Sequence, residues 1–193
     1  MAQSRNIEVD RYNLQPKKFI LWLFIVSSMI FFAGLTSGFI VYSGAGAGKT
    51  LNVKLPDVFI YSTVVILLSS LTLHWAYLQN KRLKFAQQRL WLWVTLVLGT
   101  AFIALQIYGW KVWTDLGIYF INSNASISFV YAFTLLHIVH IFAGLIIIIT
   151  AIISSYKPIP NVTNKFRIEI ASIFWHFVDI LWIYLFIFYN LIA

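Results

Sequence analysis

The stretch Ile127–Ile153 reads ISFVYAFTLLHIVHIFAGLIIIITAII, and its 27 residues include no Asp, Glu, Lys or Arg. An α-helix of about 20 apolar residues crosses a bilayer core, so this stretch is long enough to span a membrane. Four further runs are similar in length and composition: residues 19–42, 58–78, 90–108 and 170–193. The sequence therefore predicts an all-α, multi-pass membrane protein in which residues 1–193 form one transmembrane domain of five helices.

The composition supports a membrane protein and excludes several other classes. Hydrophobic residues make up 61% of the 193 residues and charged residues only 10%, whereas a soluble domain carries about 25% charged residues. The chain has no cysteine, so it offers neither a disulfide nor a thiolate metal site. These features exclude a soluble enzyme, a nucleic-acid-binding module and a disulfide-stapled secreted domain. The first run is too long for a cleaved signal peptide, and we expect it to be a retained helix.

The positive charges indicate the orientation of the chain in the membrane. Of the 14 Lys and Arg residues, 11 precede the first run or lie in the connections after the second and fourth runs. Only Lys49, Lys54 and Lys111 lie on the opposite side. Because basic residues concentrate in cytoplasmic loops, the sequence predicts a cytoplasmic amino terminus and an external carboxyl terminus.

A stripe of small residues lies in the first run, where Gly34, Ser37 and Gly38 recur on one helix face. Small residues at a spacing of four allow the backbone of another helix to approach closely. Two uses remain open from the sequence: packing within this chain, or an interface with another subunit.

Ionisable side chains are few within the five runs. Asp179 is the only formal charge, and the histidines are His74, His137, His140 and His176. An Asp at the centre of a membrane helix costs about 2.5–3.5 kcal/mol on insertion scales, so such a group is expected to face the bundle and to have a partner.

The register of the last two runs suggests the partners. If these runs pack as antiparallel neighbours, residues at equal depth have numbers with a constant sum. The sum is 316 both for His137 with Asp179 and for His140 with His176. We therefore expect a hydrogen-bonded pair between His137 and Asp179, in a structural polar cluster that includes His140 and His176.

Three interpretations of this cluster remain open from the residues alone. The first is a hydrogen-bonded scaffold that sets helix packing. The second is haem ligation of the b type, in which His74 and His176 could hold one haem; His137 and His140 share a helix face and cannot bind opposite sides of one iron. The third is a proton relay through Asp179, which the lack of paired Gly or Pro breaks in the runs disfavours.

Two segments resemble a known family. The segment 175–182, WHFVDILW, is similar to the signature of the last helix of subunit III of the haem–copper (cytochrome c) oxidases, and the spacing of His137, His140 and Gly144 resembles the helix before it. The signature residues matched are Trp175, His176, Phe177, Val178, Asp179 and Trp182. Weaker matches are Leu23–Ser27, Phe31–Gly34, His74, Trp75 and Gln106.

The resemblance implies a five-helix bacterial subunit III, which is a non-catalytic multi-pass protein of the cytoplasmic (inner) membrane. It would pack directly beside oxidase subunit I, with subunit II and other respiratory subunits in the complex, and would support proton uptake, sustained turnover and lipid retention. Haem and copper would lie in partner subunits, so we expect no redox centre on this chain, although phospholipid is expected. No nucleic acid partner is implied.

Alternatives within this resemblance are subunit III of a quinol oxidase and an accessory protein of nitric oxide reductases; a di-haem quinol-oxidising anchor is more distant. We expect the first run, with the second beside it, to meet the large subunit.

This sequence departs from the family pattern at two positions. Ser28 stands where the family commonly has a buried glutamate, and Gly109 stands where it has an acidic residue. The chain also lacks the two helices that form a lipid-filled cleft in longer members, so we expect no such cleft within it.

Overall fold

The computed structural model describes residues 14–44, 56–120, 125–157 and 160–192. In these residues the chain forms five α-helices and no strand: α1 Leu14–Gly44, α2 Val58–Lys81, α3 Phe85–Asp115, α4 Ala125–Tyr156 and α5 Asn161–Ile192. Each helix is long and apolar enough to cross a membrane. The prediction of an all-helical, five-span chain is therefore confirmed.

The helices extend beyond the apolar runs from which they were predicted. The clearest case is α3, which begins at Phe85 and ends at Asp115, whereas the apolar run covers residues 90–108. Arg89 lies in the added first turns, and its guanidinium stacks 4.4 Å from the Tyr156 ring centroid. The helix continues past the apolar segment into the membrane–water interface. This is possible because polar side chains at the ends of a span can extend into water there.

Four of the helices form a closed ring. Helix α2 packs on α3, α3 on α4, α4 on α5, and α5 returns to α2. Between α2 and α3 the chain turns within a few residues, and Leu83 adopts a positive φ of 58° there. The close pairing of α2 and α3 follows from this short connection.

Helix α1 lies outside the ring, on the seam between α4 and α5. Its buried residues recur every three to four positions and are mostly apolar: Leu14, Ile25, Ser28, Phe32, Thr36 and Phe39. Phe24 contacts Phe174, and Phe39 contacts Phe188, both with ring centroids less than 6 Å apart. One face of α1 therefore packs on the ring and the other face is uncovered.

The centre of the ring is the indole of Trp175 on α5, which is completely buried. Its Nε1 donates a hydrogen bond of 3.0 Å to the Ser69 hydroxyl on α2. On α3 and α4, a Cβ added at Gly99 or Gly144 would lie 2.7 or 2.9 Å from the indole. The two glycines therefore leave the space that the indole fills, and one side chain contacts all three other helices of the ring.

A second aromatic layer surrounds Trp182, two turns along α5. Its Nε1 donates a hydrogen bond of 2.9 Å to the Thr63 hydroxyl on α2. The Trp182 ring also packs on Phe102 of α3, with centroids 5.1 Å apart, and on Phe59 of α2. Both tryptophans of the signature segment are thus interior residues.

A substitution at Gly144 tests the packing around Trp175. We expect Gly144→Ala to lower the thermal stability of the detergent-solubilised chain, by about 1–3 kcal/mol, because the indole has no space into which to move. The measurement is a melting curve followed by size-exclusion chromatography. Gly34→Ala is the matched control, since nothing lies within 4 Å of a Cβ at that glycine. Equal stability of the two variants would contradict the packing described here.

Candidate functional site

The side chain of His137 lies in the aromatic layer around Trp182. It is fully buried, and its ring lies 5.1 Å from the Trp182 ring and 5.9 Å from the Phe102 ring, between centroids. Within the described part of the chain, neither ring nitrogen has a hydrogen-bond partner. The ring of His137 therefore packs against aromatic side chains and helps to hold α4 against α5.

The predicted hydrogen bond between His137 and Asp179 is wrong. Among the described residues, no hydrogen bond joins these two buried side chains: both nitrogens of His137 are without a partner, and the Asp179 carboxyl group lies beside the Ser70 hydroxyl of α2 instead. The nearest ion-pair partner of Asp179 is His176 on the same helix, with 3.9 Å between Oδ2 and Nδ1. The carboxylate is thus oriented towards Ser70 of α2 and towards the preceding turn of its own helix.

The physical reason is the register between α4 and α5. These helices are neighbours, as predicted, but Val130 meets Tyr189, His137 meets Trp182, and Gly144 meets Trp175. The numbers of each pair add to 319, three more than the predicted sum of 316. Three residues correspond to about 4.5 Å along a helix, which separates side chains that were expected to be level.

His140 does not meet His176 either; it contacts α1. Its Nδ1 lies 2.8 Å from the Leu136 carbonyl, and its Nε2 lies 3.2 Å from the Ser28 hydroxyl. A carbonyl only accepts hydrogen bonds, so Nδ1 carries a proton and donates it to the Leu136 carbonyl. The contact between Nε2 and Ser28 joins α1 to α4 at the position where the family commonly has a glutamate.

His176 of α5 contacts a polar side chain of α2. Its Nδ1 lies 2.6 Å from the Ser70 hydroxyl, and the His74 ring centroid lies 6.4 Å away. Asp179 approaches the same nitrogen as Ser70. A Ser–His–Asp hydrolase requires the serine at Nε2 and the acid at Nδ1, so this arrangement does not match that chemistry. Among the described residues, no group of three His, Cys, Asp or Glu is placed to hold a metal ion.

The other signature residues have structural contacts. Phe177 and Val178 are buried on α5, and Gln106 donates a hydrogen bond of 3.0 Å to Ser62. Trp75 is partly exposed and packs on Trp91, with ring centroids 4.8 Å apart. The contacts of Gln106 and Trp75 join α2 to α3.

The small-residue stripe faces away from the chain. A Cβ added at Gly34 or Gly38 would meet nothing within 4 Å, and Ser37 is exposed. Of the two uses left open by the sequence, packing within the chain is therefore not observed for these residues.

Sequence reasoning missed two polar contacts that attach α1 to α5. Lys18 donates a hydrogen bond of 2.6 Å to Glu169, and the hydroxyls of Thr36 and Tyr184 lie 2.7 Å apart. Thr36 is spaced by four and three residues from Phe32 and Phe39. This spacing could have indicated from the sequence that Thr36 lies on the same helix face as the two phenylalanines.

Comparisons with known proteins identify the family. A family model described as cytochrome c oxidase subunit III matches residues 13–192. Cytochrome c oxidase subunit 3 of Bacillus subtilis (strain 168) is 33% identical over 189 residues, which cover 96% of this chain and 91% of the relative. The corresponding protein of Thermostichus vulcanus is 28% identical over 193 residues, covering 96% and 92%.

Quinol oxidases also contain a similar subunit. Cytochrome bo(3) ubiquinol oxidase subunit 3 of Pseudomonas putida is 32% identical over 167 residues, covering 86% of this chain and 80% of the relative. The match to the family nevertheless covers almost the whole chain, including all five helices. This chain is therefore a subunit III of a haem–copper oxidase and belongs to the cytochrome c oxidase subunit III family.

Proposed function

We propose that this chain is a single transmembrane domain that packs directly against the haem- and copper-containing subunit I of a bacterial respiratory oxidase, in a complex that also contains subunit II. Its role is to support sustained turnover and proton uptake and to retain phospholipid, while the redox centres lie in partner subunits. The observation that carries the proposal is the uncovered face of α1. The chain belongs to a family whose members are subunits of a complex, so an uncovered helix face is a candidate for contact with another subunit.

The two faces of α1 differ in a way that suits a subunit interface. The inner face has large apolar residues that pack on α4 and α5. The outer face has Gly34, Ser37 and Gly38, which leave their backbone accessible. In lipid, helices associate through close packing at small residues. We therefore assign the outer face of α1 to contact with the large subunit, but α2 does not lie beside α1 as expected.

The role assigned to the buried polar residues is structural. His140 joins α1 to α4, His176 joins α5 to α2, and His137 fills the aromatic layer around Trp182. These contacts account for three of the histidines without haem or a relay. A quinol oxidase is the second candidate for the complex, because relatives of both kinds have similar identity to this chain.

The orientation proposed is a cytoplasmic amino terminus in the inner membrane. We call the membrane side at which α1 and α5 begin the basic end; the turn between α2 and α3 also lies there. Basic residues described at this end include Lys18, Lys81, Lys165 and Arg167. At the opposite end, Lys111 is accompanied by Asp57 and Asp115. The charge difference supports a cytoplasmic basic end.

Gly38→Leu tests the assignment of α1. We expect several-fold less of this chain to copurify with subunit I, because the larger side chain prevents close approach of the two backbones. The oxidase that remains should keep its initial rate and lose activity sooner during turnover. Val97→Leu is the control, since Val97 is 62% exposed on α3, away from α1. Normal retention of the Gly38→Leu chain would contradict this interface.

Reporter fusions test the orientation. A periplasmic alkaline phosphatase fused after Ala193 should be active, and the same reporter inserted after Lys84 should be inactive. The reason is that 11 of 14 basic residues lie on the side of Lys84. A cytoplasmic reporter at the same two positions serves as the control and should give the reverse result. The opposite pattern would show that the chain is inserted the other way round.

Asp179→Asn separates a structural role from a proton relay. We expect normal assembly, initial turnover and proton pumping, because the amide has the shape of the carboxyl group and keeps an oxygen that can accept from Ser70. Ser70→Ala, which removes the partner of His176, should instead lower the stability of the chain by about 0.5–1.5 kcal/mol. The measurements are proton-to-electron ratios in vesicles and melting curves. A fully assembled Asp179→Asn oxidase without pumping would show that the residue is a relay.

A further inference from the structure

One histidine of the membrane spans is not explained by the packing described above. His74 lies on α2 and is exposed, whereas His137, His140 and His176 are buried or half-buried and have ring or hydroxyl contacts within the chain. In the part of the chain that the structure describes, no hydrogen bond involves the His74 ring, which lies 6.4 Å from the His176 ring between centroids. His74 therefore presents its ring nitrogens to whatever surrounds the chain.

His74 lies at the depth of the lipid tails. It precedes Lys81, the last residue of α2, by seven residues, which is about 10 Å along a helix in a bilayer core of about 30 Å. The Cα–Cβ bonds of a helix tilt towards its N-terminus, and α2 begins at the end opposite the basic end. The imidazole therefore inclines away from the nearer headgroups, and lipid tails would surround it if nothing else did.

Hydrocarbon cannot satisfy an imidazole. A neutral ring has one N–H donor and one acceptor nitrogen, and lipid tails offer a partner for neither. Exposed hydroxyl groups elsewhere in the spans, such as Thr100 and Thr150, donate to a carbonyl of their own helix. His74 has no such bond. Ionisable residues in membrane helices are rarely exposed to lipid and have polar partners, so the exposed surface of His74 requires a polar group from outside this chain.

His74 belongs to a mixed patch on neighbouring faces of α2 and α5. We call the residues Leu67, Ser70, His74, His176 and Ile180 the histidine patch. The His176 side chain is 35% exposed, and Ser70 occupies its Nδ1, which leaves Nε2 available. Hydrogen bonds of about 2.9 Å allow one oxygen atom to contact two rings at the observed separation of 6.4 Å. Leu67 and Ile180 are exposed apolar residues, so a polar centre has apolar residues around it.

We propose that a transmembrane helix of another oxidase subunit covers the histidine patch and brings a side-chain oxygen to His74 and His176. Such a helix fits both parts of the patch, because its apolar side chains pack on Leu67 and Ile180 while one polar side chain bonds to the imidazoles. Polar side chains form interhelical hydrogen bonds of this kind in membranes. This contact is separate from the outer face of α1, and it rests on the proposed role of the chain as a subunit that packs within the oxidase.

Photo-crosslinking in the intact oxidase tests what covers the patch. A benzoyl-phenylalanine placed at position 67, in membranes, should crosslink to a membrane-spanning segment of another oxidase subunit, identified by mass spectrometry of the purified complex. The same probe at position 97 is the control for random collision and should give less of this product, since Val97 is exposed on α3, across the ring from α5. Adducts with lipid alone, with a second copy of this chain or with an extramembrane segment would overturn the proposal.

Substitutions of His74 test the hydrogen bond. We expect His74→Leu to weaken the association of this chain with the crosslinked subunit roughly 3-fold to 10-fold, the effect of one interhelical hydrogen bond. His74→Gln keeps a donor and an acceptor and should restore most of the association. The matched control is Leu71→Ala, because Leu71 is 54% exposed on the same helix and has no polar atom in its side chain.

The direction of the His74→Leu effect separates a subunit contact from exposure to lipid. If lipid surrounds His74, leucine is the better residue at this position, and the variant would associate as well as the wild type, which overturns the proposal. Melting curves of the detergent-solubilised chain should be the same for His74→Leu and the wild type, since His74 has no hydrogen bond within the described residues. A destabilised chain would show that His74 acts within its own subunit, and would also overturn it.

The proposed function can fail separately from this inference. Copurification of this chain with subunit I is measured on the same preparations. A complete, active oxidase in which His74→Leu has no effect would overturn the histidine-patch contact and leave the assignment of α1 intact. Absence of the wild-type chain from the purified oxidase would contradict the proposed function itself.

Discussion

The arrangement of the ring depends on the fit of one indole. Trp175 occupies the space above Gly99 and Gly144 and donates its hydrogen bond to Ser69, so it contacts α3, α4 and α2 from α5. A Cβ added at either glycine would lie closer to the indole than an ordinary van der Waals distance, so the fit leaves little room for these helices to slide or rotate. The register between α4 and α5, and hence the contact of His137 with Trp182, follows from this packing.

Three indole N–H groups in the ring are satisfied by a recurrent scheme that suits a medium without water. A hydroxyl group donates to a carbonyl of its own helix and accepts a hydrogen bond from an indole on another helix. The three pairs of this kind are Trp175 with Ser69, Trp182 with Thr63, and Trp110 with Thr134. Each pair joins two helices without leaving an unpaired donor in hydrocarbon.

Helix α1 contributes to the molecule in a different way from the ring. Among the described residues it contacts mainly α4 and α5, through aromatic residues, the His140–Ser28 bond and polar contacts that include Lys18 with Glu169. Because its inner face packs on these two helices, its small-residue face is left uncovered. The proposed contact with the large subunit therefore follows from the position of this helix.

The number of helices, the family and the positive end of the bundle could all be predicted from the sequence. Long apolar runs and clustered lysines determine these properties locally, and the segment around Trp175 identifies the family. The partners of the histidines could not be predicted, because a register error of three residues removes the expected contact between His137 and Asp179. That register depends on how side chains from different helices fit together, as Trp175 does against Gly144. Only the tertiary structure decides it, since apolar run lengths do not encode interhelical packing.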